Sequence, residues 1–86
     1  MLTLNNMDKR LVDKLGVLAA KAVEDALASG LTWDQAVMAF GVASKAIAVK
    51  AAGQANGQPE EYAKHAEKRL KYGMDHSADV LRSFLG

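Results

Sequence analysis

An all-α fold follows from three features of this 86-residue chain: sixteen residues are alanine, the only proline stands at a helix start, and apolar residues recur at steps of three and four. Alanine is the strongest helix former, and isolated β-branched residues in an alanine background are tolerated. The expected architecture is a small three-helix bundle, a helical hairpin followed by a long C-terminal helix. The helices fall at about 6–28, 32–52 and 59–85 within one domain spanning the chain, with a fourth if the last one breaks at Gly73. A chain of this length buries only about 60 to 65% of the surface its unfolded form exposes, so homo-oligomerisation, a dimer in the first place, is expected to complete the bundle.

The first helix has Asn5 or Asn6 as its cap, Asp8 in its first turn and Leu4 packing back onto it. Leu11, Val12, Leu15, Leu18, Ala19, Ala22, Val23, Ala26 and Leu27 make one broad apolar face, and Val17 sits alone among charges. Ser29-Gly30 ends it, because glycine accepts the left-handed backbone that closes a helix.

The second helix opens on the strongest local signal in the chain, with Thr32 as cap and Gln35 three residues on to return the hydrogen bond. Between Ala36 and Val49 its only polar side chains are Ser44 and Lys45. An apolar stripe about 100° wide suffices to dock a surface helix. A helix apolar all round is therefore expected at the centre of the bundle, enclosed by its own chain or by a second copy. Val37, Met38, Phe40, Val42, Ile47 and Val49 point in too many directions for one such chain to cover, and they are the candidate oligomer interface. The helix should end near Gly53.

Pro59 stands at the first position of the third helix, where its missing N–H costs nothing, with Glu60 and Glu61 against the positive end of the dipole. Ala63, Ala66, Leu70, Gly73 or Met74, Ser77, Val80 or Leu81 and Phe84 keep one phase. Gly73 is the weak point, and Asp75 could cap a separate last helix.

From Leu31 to Ile47 the chain resembles the helix-turn-helix of phage-repressor-type DNA-binding domains. Thr32 stands as the cap, Gly41 followed by Val42 as the turn, and Ile47 as the residue that packs the recognition helix. The resemblance implies a small DNA-binding regulator with Ala43, Ser44, Lys45, Ala48 and Val49 at the major groove, Ser44 and Lys45 being its polar contacts. The departures are Val37 where the family has alanine, and the lack of bidentate readers such as Arg, Asn or Gln.

Composition excludes more than it assigns. Without cysteine there are no disulfides or thiolate metal sites, and a charge of +1 marks neither a nucleic-acid coat nor an acidic mimic of DNA. The longest apolar stretch, about 14 residues, falls short of the roughly 20 a bilayer needs, and the N-terminus lacks a secretory pattern. The expectation is a cytoplasmic protein without membrane contact. No nucleophile stands beside a base, and no phosphate-cradling loop or set of three or four metal ligands is found, so neither catalysis nor a cofactor nor a metal is expected.

One constellation stands out. Tyr62, His65, Arg69, Tyr72 and His76, at steps of three, four, three and four, lie along one face of the third helix beside Lys68. Tyr and Arg combine contact area with directional hydrogen bonding, so this strip is the candidate surface for a protein partner. An ordinary helix flank, its long side chains lying over the core, accounts for the same spacing. The function expected is a non-enzymatic interaction module, of the kind that phages and mobile elements use as inhibitors or adaptors of host proteins. A helix-turn-helix regulator is the alternative.

Overall fold

The computed structural model describes residues 8–84, and every element in them is helical: α1 Lys9–Ala28, α2 Trp33–Ala55, α3 Pro59–Asp75 and α4 Ala78–Phe84. The residues group into two compact units, one holding α1 and α4, the other α2 and α3 as far as Gly73.

In the first unit α1 is capped by Asp8, whose Oδ1 accepts from the Arg10 backbone N–H at 2.8 Å. Asn5 and Asn6, the expected caps, and Leu4 lie outside the described residues. The C-terminus closes as expected. Gly30 takes φ +80°, the Ser29 hydroxyl donates to the Ala26 carbonyl at 2.6 Å, and it accepts from the Leu31 N–H at 3.1 Å. Helix α4 packs on α1.

In the second unit the expected capping box is complete. Thr32 Oγ1 accepts from the Gln35 N–H and Gln35 Oε1 accepts from the Thr32 N–H, both at 3.1 Å. Helix α2 then runs past Gly53 to Ala55. Its end is set by Asn56, whose φ of 55° is left-handed, and by the Gly57 N–H donating to the Ala52 carbonyl at 2.8 Å. That reverse turn satisfies helix-terminal carbonyls, and asparagine is the residue other than glycine that tolerates it best.

Two expectations are corrected here. The last 26 or so residues are not one helix, and the break is not at Gly73, which lies inside α3. Helix α3 ends at Asp75, and α4 starts after His76 and Ser77, the Ser77 hydroxyl donating to the Met74 carbonyl at 2.9 Å and the Ser77 carbonyl accepting from the Leu81 N–H at 2.8 Å. Nor is α2 enclosed within its own unit. Within α2 only Ala36, Ala48 and Ala52 are buried, and among the described residues no large side chain is fully buried. Gly41, Ser44 and Lys45 of α2 and Ala63, Ala66 and Leu70 of α3 line an open cleft, and the larger side chains around α2 stay accessible.

Candidate partner-binding surfaces

Helix α3 carries the aromatic and basic strip, and its members divide. Tyr62 is half-buried, its ring lying over Gly57, so that a Cβ built on Gly57 would stand 2.5 Å from Tyr62 Cε1. This tyrosine fastens the α2–α3 turn to the first turn of α3. His65, Lys68 and Arg69 are exposed. Tyr72 is half-buried, with the Arg69 guanidinium 5.6 Å from its ring centroid, within cation–π range. His76 is half-buried in the turn after α3, not on the helix. The exposed members of the strip are thus His65, Lys68 and Arg69, while Tyr62 and Tyr72 are half-buried and the Tyr72 hydroxyl oxygen is enclosed.

Helix α2 presents a larger surface. Trp33, Val37, Met38, Val42 and Ile47 are each more than half exposed, and Phe40 and Val49 lie close to 40%. The six residues expected at an oligomer interface are therefore all accessible, but they fall into two stripes. At about 100° per residue, Val37, Phe40 and Ile47 share one side, and Met38, Val42 and Val49 lie nearly opposite, with Lys45 among them. Trp33, 80% exposed although it begins the run expected to be buried, belongs to the first stripe and lies outside the six residues expected at the interface. Its spacing of seven from Phe40, and of Phe40 from Ile47, was the signal.

The turn on which the helix-turn-helix resemblance depends does not form. Helix α2 is continuous through Gly41, and a Cβ there would meet nothing within 4 Å, so the glycine serves neither a turn nor a close approach. The Ser44 hydroxyl donates to the Phe40 carbonyl of its own helix at 2.7 Å, the ordinary bond of a serine inside a helix, and Lys45 is exposed beside the cleft between α2 and α3.

Length is also corrected: α2, with 23 residues and a mean hydropathy of 1.4 over its best window, is long and apolar enough to cross a bilayer. The apolar run of about 14 residues, Ala36 to Val49, is only the middle of this helix, which continues past it on both sides. Among the described residues no three His, Asp or Glu side chains gather where a metal would fit. No family model, curated protein or solved structure matches the chain.

Proposed function

We propose that the chain is a non-enzymatic helical interaction module that acts by occupying a partner's surface, with α2 available for self-assembly and α3 offering His65, Lys68, Arg69 and Tyr72 to a protein partner. The observation that carries this reading is the open apolar surface of α2, where five large side chains are more than half exposed. Apolar patches of that kind mark association sites on small folded chains. Arginine and tyrosine held together on α3 add a directional contact of the type that dominates binding energies.

The test is affinity capture from the native host, with the wild-type chain beside an Arg69→Ala/Tyr72→Ala variant of unchanged helicity. Loss of a specific prey with the variant supports the reading. A chain that captures nothing, yet is retained on unspecific duplex at about 50 mM salt and released at about 200 mM, would move the function to phosphate binding.

The length and composition of α2 favour a second reading, insertion into a bilayer. Against it stands Lys45 at the midpoint of the helix, where a charge costs about 2.5 to 3.5 kcal/mol. Co-flotation of the chain with phosphatidylcholine vesicles would favour this second reading.

A further inference from the structure

We propose that Asn56 and Gly57 form a self-modification site, an asparagine that converts spontaneously to aspartate and isoaspartate, and that the closure of α2 holds the reaction in check. Asparagine before glycine is the pair in which a backbone nitrogen most readily reaches a side-chain amide, because glycine puts no side chain in the way. The chain has two further asparagines, Asn5 and Asn6, and these precede Asn6 and Met7, which do carry one. Asn56 is exposed in the turn between α2 and α3, where water and hydroxide reach it.

The reaction needs water and nothing else. Hydroxide takes the Gly57 N–H proton, the nitrogen attacks Asn56 Cγ, and the new N–C bond closes a five-membered imide as the Cγ–Nδ2 bond breaks. The leaving amide group takes up a proton and departs as ammonia. Water then opens the ring at either carbonyl. Opening at Cγ leaves aspartate, and opening at the Asn56 main-chain carbonyl leaves isoaspartate, with the chain running through Cβ and Cγ. The net change is one water in and one ammonia out, and the formal charge of the chain falls from +1 to zero.

The folded turn refuses both requirements of the attack. The Gly57 N–H donates to the Ala52 carbonyl at 2.8 Å, so its proton is engaged. At φ 55° and ψ 34° the Gly57 nitrogen lies nearly anti to Asn56 Cβ, by the tetrahedral geometry of Cα, and no side-chain rotation brings Cγ to it. The backbone must rotate about ψ, and that rotation withdraws the Gly57 N–H from Ala52. The Tyr62 ring resists the same movement, since it lies over Gly57 where a Cβ would stand 2.5 Å from Cε1.

Modification undoes the closure that delayed it. A carboxylate at position 56 stands against the carbonyl end of α2, the negative end of the helix dipole. Isoaspartate lengthens the backbone by one carbon and carries Gly57 away from its place beneath the Tyr62 ring. The turn therefore keeps a one-way record of the time it has spent open.

The test is incubation of the full chain in mildly alkaline buffer with and without urea, read by peptide mass spectrometry and ion exchange. In urea Asn56 should convert to aspartate and isoaspartate ahead of Asn5 and Asn6. In buffer the conversion should be slower by about tenfold or more, because a closed turn reacts only through its open fraction. Tyr62→Ala should raise the rate in buffer severalfold and leave the rate in urea unchanged. The isolated isoaspartate form should melt at a lower temperature than the unmodified chain. Equal rates with and without urea, or earlier conversion of Asn5 or Asn6 in urea, overturn the proposal. So does a Tyr62→Ala chain that keeps its helicity by circular dichroism and reacts no faster than the wild type. If Tyr62→Ala loses helicity, hydrogen exchange of the wild-type Gly57 amide takes its place: protection upholds the guarded site, and exchange at the free-peptide rate overturns it.

Discussion

At Gly57 the lack of a side chain is what the fold uses. The ring of Tyr62 occupies the place a Cβ would take, 2.5 Å from Cε1, and φ there is not left-handed, so the requirement is purely steric. Gly57→Ala should therefore destabilise by about 1 to 3 kcal/mol, the usual range for overpacking, and much of that loss should disappear in a Tyr62→Ala background. A double-mutant cycle by chemical denaturation measures the coupling. Gly41 is the opposite case. It lies inside α2 with open space where a Cβ would stand, so Gly41→Ala should stabilise by about 0.5 to 1 kcal/mol through helix propensity. Had Gly41 formed the turn of a helix-turn-helix, alanine would have lowered the midpoint, so one thermal melt separates the two structures. The helical spacing in the sequence puts Tyr62 on the strip face of α3. It carried no information that the ring would lie over Gly57, five positions earlier, a contact the structure adds to the role expected of Tyr62.

Among the elements, α2 owes its start to local chemistry that the sequence displays in full. Thr32 and Gln35 exchange hydrogen bonds at 3.1 Å, and Thr32→Ala should cost about 1 kcal/mol, read as a lower denaturation midpoint with an unchanged slope. The glycine stop of α1 and the proline start of α3 are legible for the same reason, since each depends on one residue's own backbone restrictions. The end of α2 and the split after Asp75 were misplaced because several residues compete there. Asn56 rather than Gly53 takes the left-handed turn, and Ser77 rather than Asp75 immediately precedes α4. Asparagine and serine are acceptable in many settings, so their presence alone does not say which will act. The openness of α2 was likewise beyond reading, because an apolar composition says that a surface seeks cover and not which neighbour supplies it.

For the molecule as a whole the question is where stability comes from when the buried apolar side chains of the described residues are three alanines. Burying a methyl group is worth about 0.8 kcal/mol, so these side chains contribute little against the conformational entropy of ordering each residue. Helix propensity and caps help, but isolated helices of about this length are marginal in water. On the proposed reading association supplies the missing apolar burial, and association is subject to mass action: whatever binds the folded chain and not the unfolded one raises its stability with concentration. The Tm should accordingly rise by several degrees between about 1 and about 100 μM protein, whereas a self-sufficient monomer melts at one temperature throughout. Phe40→Glu should abolish the dependence and melt at the lower limit, while Gly41→Ala should raise the whole curve without changing its slope. A flat profile for the wild type would mean that the alanine contacts, caps and helix propensity suffice by themselves, and the exposed apolar surface of α2 would then need a reason other than stability.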